Sequence, residues 1–287
     1  MQAKKKNQNN LRNQGVLIVN LYQNVNGHAI RYDEYGTDNK DHVLFIHGLG
    51  TSAIAWRDIP EALSSKYHTI VVDLIGFGGS DKPEYDYTIS FFSQFLSDFL
   101  DKVGINKDDK IILVGHSLGG YISIDFAIKN KNRVKKMILF DSSGLLNEPT
   151  PLLNDYMNAV KIAEPQSRRE KLVQVFGSLL ANPTRLLLVV VDIFVSVIEI
   201  KGAKEAFESA FKNSTSSTIN AAEAAKLAKI PTLIVWGESD KLIPPSYLDK
   251  FKKILPHAQI ITIRDSGHSP FVEKPAIVYQ KLLDFLS

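Results

Sequence analysis

Ile111-Ile112-Leu113-Val114-Gly115-His116-Ser117-Leu118-Gly119-Gly120 is the stretch that decides how the rest of the chain is read. Its first four residues are continuously apolar, the pattern of a strand covered on both faces. Gly-x-Ser-x-Gly follows at once, and helix-forming composition runs on from 119 to 129. The spacing has a steric reason. Where a strand breaks sharply into a helix, the turn is too crowded for side chains two residues either side of its apex. Glycine removes the clash and leaves the serine Oγ standing clear of the sheet. The same turn puts the Leu118 N–H at a helix N-terminus, where it can donate to a developing oxyanion. Ser117 is therefore the candidate nucleophile.

Working outward, short Val- and Ile-rich runs recur at 43–46, 69–72, 137–140, 232–236 and 259–263. Helical patterns fall between most of them, for example at 89–103 and 245–255. Strands alternating with helices imply βαβ units and a mostly parallel sheet, so the class is α/β. Residues 16–22 and 28–35 read as two further strands, and Asn26-Gly27 between them is a strong hairpin signal. The rhythm breaks once. No convincing strand lies from 142 to 230, where helix formers are punctuated by Pro149, Pro151, Pro165 and Pro183. We expect a helical insertion at 146–222, seated on a core made of 15–145 and 223–287.

Composition narrows the chemistry. The chain has 287 residues, 44% of them hydrophobic, and no cysteine. It is long enough for a substantial core, and thiolate metal sites, disulfides and a cysteine nucleophile are all excluded. Lys4, Lys5, Lys6 and Arg12 alone exceed the net charge of +3, so the body beyond residues 1–14, which we expect to be a disordered basic tail, is nearly neutral. That argues against a nucleic-acid partner. The apolar run Val16-Leu17-Ile18-Val19 is too short for a signal peptide. The longest apolar segment, 186–200, is interrupted by Asp192, Ser196 and Glu199. A cytoplasmic protein with no membrane span and no cofactor is expected.

The remaining parts of a nucleophilic site sit after other strands. His47-Gly48-Leu49-Gly50 follows the 43–46 run, where the Leu49 N–H offers a second oxyanion donor; His47 itself reads as a buried, hydrogen-bonded turn residue. Asp240, in Gly237-Glu238-Ser239-Asp240, follows the 232–236 run and is suited to orient an imidazole. Asp141, also at a strand end, competes with it for that role. His268, in Ser266-Gly267-His268-Ser269-Pro270, is the candidate base for Ser117. His116 adjoins the serine, but the sharp turn should send its ring into the structure. No His-Glu-x-x-His and no histidine cluster of ligand spacing supports a metal site.

The order Ser117, Asp240, His268 resembles the α/β-hydrolase superfamily, in particular its cap-bearing esterase and lipase-like branch. The resemblance covers nearly everything from Val16 to Ser287. It is carried by His47-Gly48-Leu49-Gly50, by Asp73-Leu74-Ile75-Gly76-Phe77-Gly78-Gly79-Ser80-Asp81, by the turn at Ser117, and by Gly267-His268 followed by Glu273-Lys274-Pro275. It implies a mostly parallel eight-stranded sheet flanked by helices, with a helical cap inserted after strand 6. Branches with an aspartate nucleophile are disfavoured by Ser117. Carbon–carbon bond hydrolases of ring-cleavage products share the serine, but their oxyanion loop usually carries Gly-Pro where this chain has Leu49-Gly50-Thr51-Ser52.

The insertion gives one clue to substrate. Over 185–199 the polar residues Arg185, Asp192, Ser196 and Glu199 fall within about 60° of helix circumference, leaving the rest apolar. Such a helix is either wedged between insertion and core or lines an acyl pocket. Both readings favour a small-molecule substrate with a hydrophobic acyl or alkyl group. The expected activity is serine-dependent carboxylic-ester hydrolysis. Hydrolysis of carbon–carbon bonds in vinylogous diketones by the same residues is the alternative, and a ligand receptor on the same scaffold is a third.

Overall fold

A computed structural model describes residues 18–56, 58–183 and 186–287. The expected basic tail, the first two residues of the 16–22 strand and Arg185 lie outside the described residues. Eight strands form one sheet: β1 (Ile18–Val25), β2 (His28–Tyr35), β3 (His42–Ile46), β4 (His68–Val72), β5 (Ile111–His116), β6 (Val134–Phe140), β7 (Thr232–Gly237) and β8 (Gln259–Ile263). Their order across the sheet is β1-β2-β4-β3-β5-β6-β7-β8. β2 runs antiparallel to β1 and β4, and every other neighbouring pair is parallel. The hairpin turns on Asn26 and Gly27 at φ 52° and 92°, the left-handed pair that a type I′ turn requires.

The helices, in chain order, are α1 (Ile59–Leu63), α2 (Ile89–Lys102), α3 (Leu118–Lys129), α4 (Pro151–Lys161), α5 (Pro165–Leu179), α6 (Leu186–Ile198), α7 (Ala203–Thr215), α8 (Ala221–Ala224), α9 (Leu248–Ile254), α10 (Pro270–Glu273) and α11 (Pro275–Leu286). Residues 245–247, expected as the start of a long helix, form a 3₁₀ turn leading into α9.

Continuous apolar runs follow from burial on both faces. Along β5, Ile111 and Leu113 join Leu44, Ile70 and the helices α2 and α3. Ile112 and Val114, on the other face, join Val43, Phe45, Phe140 and Trp56 beneath α1 and α11. Trp56 stacks on Phe271 with ring centroids 4.3 Å apart, bracing the first turn of α10 beside the sheet. Alternate side chains thus point to opposite, equally dry sides.

Helices α4 to α7 follow one another between β6 and β7. Two of the punctuating prolines open helices, because their missing N–H costs nothing in the first turn. Pro151 follows Thr150, whose hydroxyl accepts from the Leu153 N–H. Pro165 follows Glu164, whose carboxylate accepts from the Gln166 and Ser167 N–H groups. Of the two readings of α6, a wedge and a pocket wall, the structure fits the second better, since Leu187, Val190 and Phe194 line a cavity. Val191, Phe194 and Ile198 pack inward, but Leu188, Val189, Val190 and Ile193 are 39–53% exposed, so the helix is not enclosed all round. Its acidic residues cannot offset this apolar face, since Asp192 pairs with Arg169 and Glu199 with Arg168. Among the described residues no helix is long and apolar enough to cross a membrane.

Candidate active site

The residues singled out in the sequence come from the carboxyl ends of β3, β5, β6, β7 and β8. In a parallel sheet all these ends lie on one edge, where loops from distant parts of the chain meet. Ser117 stands between β5 and α3 with φ 52° and ψ −114°, a conformation that side-chain-bearing residues rarely adopt. It is held there by its N–H, which donates to the Phe140 carbonyl at 2.9 Å, and by the Ser143 N–H and hydroxyl, which both donate to the Ser117 carbonyl. Glycine is obligatory beside it. A β-carbon on Gly119 would run into the carbonyl oxygens of Ile46 and His47, and one on Gly115 would meet Ser123 Oγ at 2.5 Å.

The loop after β3 passes directly against this turn. A β-carbon on Gly48 would stand 3.2 Å from Ser117 Cβ and 2.9 Å from His116 Nδ1. Leu49 and Leu118 line the same cavity as Ser117. Leu118 is the first residue of α3, so no carbonyl within the helix can reach its N–H. His47 is fully buried; its Nδ1–H donates to the Gly48 carbonyl and its Nε2 accepts from the Leu74 N–H. That assignment makes the ring neutral, and burial lowers its pKa. The sequence reading of His47 as a turn residue agrees with this geometry.

His268 Nδ1 lies 2.7 Å from Asp240 Oδ2. The other oxygen of Asp240 accepts from the N–H groups of Leu242 at 2.8 Å and Ile243 at 3.0 Å. Three donors converge on a carboxylate that is 3% exposed. Asp141, the competing acid, makes no hydrogen bond to His268; its Oδ1 accepts from the Gly237 N–H at 2.8 Å. His116 turns away from the serine, as expected, and its Nε2–H donates to the His268 carbonyl at 2.8 Å. Burial, then the nearby His268, pushes the His116 pKa well down, so its ring is neutral and its role is to support the His268 loop. Ser117 and His268 face one cavity of about 560 Å³. No hydrogen bond joins their side chains among the described residues, a looseness common in sites without substrate.

The cavity walls are mainly apolar. Leu146 contributes from the segment before α4, Leu153 from α4, and Phe176, Leu187, Val190 and Phe194 from α5 and α6. The exposed residues Val189, Val190 and Ile193 of α6 also line it, as does the exposed Ile54.

Sequence reasoning missed the part played by Glu273. Its Oε1 accepts from the Gly267 N–H at 2.7 Å and its Oε2 from the Ala181 N–H at 2.8 Å, while the His268 N–H donates to the Leu179 carbonyl. One carboxylate therefore ties the end of α5 to the loop that carries His268. The only local signal was an acid a few residues beyond Gly267-His268. Glu273→Ala removes two charge-assisted acceptors, at a cost of about 1–3 kcal/mol. A Tm lower by several degrees is expected in calorimetry, with a reduced kcat because the His268 loop loses its anchor.

The model of a family described as the alpha/beta hydrolase fold matches residues 41–275. Among curated proteins the chain is 32% identical over 266 residues to Lipase 1 of Psychrobacter immobilis, covering 91% of this chain and 82% of that one. It is 26% identical over 274 residues to 2-hydroxy-6-oxo-6-(2'-aminophenyl)hexa-2,4-dienoic acid hydrolase of Metapseudomonas resinovorans, covering 94% and 91% of the two chains. Among solved structures, 2-hydroxy-6-oxo-6-phenylhexa-2,4-dienoate hydrolase from Rhodococcus sp. strain RHA1 superposes with a TM-score of 0.83 at 22% identity, covering 94% of this chain and 99% of the other. With its eight-stranded sheet, its serine turn after β5 and a family match over most of its length, the chain belongs to the alpha/beta hydrolase fold family.

Proposed function

We propose that the chain is a serine hydrolase of carboxylic esters with a hydrophobic acyl or alkyl group, and that α4 to α7 form a cap over its site. His268, oriented by Asp240, takes the Ser117 proton as Oγ attacks the ester carbonyl. The Leu49 and Leu118 N–H groups hold the oxyanion as charge develops on it. His268 then protonates the departing alcohol. Water, deprotonated by the same ring, releases the acyl group and restores Ser117.

The observation that carries this reading is the meeting of Ser117 with the Asp240–His268 pair on the floor of a mainly apolar cavity. The competing reading is carbon–carbon bond hydrolysis of ring-cleavage products, and two of the similar proteins above are hydrolases named for a hexa-2,4-dienoic acid. A dienoic acid carries a carboxylate that needs a cationic or hydrogen-bonding partner. Among the described residues lining the cavity, Lys274 is the one cation, accompanied by the acids Asp265 and Glu273. That charge balance favours a neutral substrate, whose polar atoms can meet Thr51, Ser52 or Asn182 in the same cavity.

A panel of p-nitrophenyl esters from acetate to dodecanoate, run beside a ring-cleavage dienoate, tests the proposal. Each CH₂ buried is worth at most about 0.8 kcal/mol. The expected kcat/KM therefore rises by up to about fourfold per added CH₂ until the cavity is filled, and the dienoate turns over more slowly than the best ester. Faster turnover of the dienoate would transfer the assignment to carbon–carbon chemistry.

A further inference from the structure

Asp141 is fully buried at the end of β6, with φ 43°. Its N–H donates to the Val235 carbonyl at 3.0 Å and its Oδ1 accepts from the Gly237 N–H, which locks the side chain against β7. An oxygen of Asp141, an oxygen of Asp240 and a ring nitrogen of His268 all lie within 4.8 Å of one another. Asp141 Oδ2 is buried with no donor reaching it. The charged and titratable groups facing it are Asp240 from the loop after β7 and His268 and Glu273 from beyond β8. Among the described residues no lysine or arginine pairs with either aspartate. Two like charges so placed cannot both persist in a dry site, and one proton must be held between them. Three N–H donors point at Asp240 and one at Asp141, so the proton belongs on Asp141.

We propose that Asp141 is a neutral carboxylic acid that keeps its proton, donates a hydrogen bond to the Asp240 carboxylate and acts, through Asp240, as a positioning residue for His268. The proposal rests on the hydrolase reading above only for its effect on turnover. Asp141 supplies the donor that its own Oδ2 otherwise lacks a partner for, and it leaves one negative charge, not two, beneath the imidazole. Burial first, and the neighbouring Asp240 second, raise the Asp141 pKa well above the usual carboxylate range, while the Gly237 N–H opposes this weakly.

The test compares Asp141→Asn and Asp141→Ala with the full-length parent. Asparagine can present its carbonyl to the Gly237 N–H and its amide to Asp240, copying the neutral acid. Its kcat/KM on a p-nitrophenyl ester is expected within about threefold of the parent, with the acid limb of the pH profile unmoved. Alanine removes the donor, and kcat should fall about tenfold or more with KM nearly unchanged. An acid limb displaced downward by about one unit or more in Asp141→Asn would mean that a negative charge had been removed, and overturns the proposal. So does full kcat in Asp141→Ala.

A second measurement does not depend on activity. A carboxyl whose native pKa is raised stabilises the fold fully below its unfolded pKa of about 4, and that contribution is lost as pH rises toward the native value. Asp141→Asn lacks this loss, so its Tm relative to the parent should climb as pH rises above about 4. A Tm difference independent of pH overturns the protonation state whatever the substrate proves to be. If Tm behaves as expected while no ester is turned over, the fault lies with the hydrolase reading and not with Asp141.

Discussion

Ser117→Ala is expected to lower kcat on a p-nitrophenyl ester by about 10⁴- to 10⁶-fold, leaving only the rate that binding and the oxyanion donors sustain. Labelling by a fluorophosphonate probe should vanish with it. The substitution removes one oxygen and keeps the β-carbon at φ 52°, so the backbone strain remains and Tm should stay within a degree or two. Ser117→Gly separates chemistry from stability at the same position. It abolishes activity equally but relieves a conformation that costs about 1–3 kcal/mol, offset by about 0.5–1 kcal/mol of extra chain entropy in the unfolded state. The net gain of about 1 kcal/mol raises Tm by roughly 2–4 °C. An inactive, more stable glycine variant would show that the fold stores strain to present this hydroxyl. Residual turnover in the alanine variant close to that of the parent would rule out the covalent mechanism.

Asp240→Asn should cost about 10⁴-fold in kcat with little change in KM, by the logic of tautomers. Asp240 Oδ1 holds the N–H groups of Leu242 and Ile243, so an asparagine keeps its carbonyl there and turns its amide toward His268. A donor now faces Nδ1 where an acceptor stood at 2.7 Å. The ring responds by carrying its proton on Nε2, which then cannot accept from Ser117. Steady-state kinetics on one ester, with circular dichroism to check the fold, decides the matter. The same measurement on Asp141→Asn gives the contrast, because that substitution is expected to be nearly silent. If the two variants exchanged phenotypes, Asp141 would be the acid of the site.

The sheet was legible in the sequence because its signals are local. Runs such as Ile111-Ile112-Leu113-Val114 announce burial on both faces, and the structure buries them on both. Asn26-Gly27 announces a left-handed turn and adopts one. The glycines at 115 and 119 announce a crowded bend, and the atoms that crowd them are those of Ile46, His47 and Ser123. Legibility declined where partners are distant in sequence. Helix α6 reads as apolar nearly all round, which is compatible with a wedge or a pocket wall. Packing against Tyr156, Phe176 and Phe207 chose which side turned inward and left Leu188, Val189, Val190 and Ile193 outside. Glu273 stood in the sequence only as part of the Glu273-Lys274-Pro275 motif until the end of α5 was brought to it.

The sequence by itself determined the strand runs and helices of the core, the serine turn, and the loops after β3, β7 and β8 that carry the other candidate residues, since each depends on short-range sterics and on which faces are apolar. For the acid, the sequence preferred Asp240 only through the order it shares with a known family, and the tertiary structure alone shows which carboxylate meets His268. Asp141 and Asp240 both follow strands, and no local pattern distinguishes them. The adjacency of β6 and β7 draws Asp141 to the Gly237 N–H, while the loop beyond β7 carries Asp240 to the His268 ring. Which carboxylate meets the imidazole is a matter of where three strand ends 96 and 28 residues apart converge, and that is set by packing of the whole sheet rather than by any segment of it.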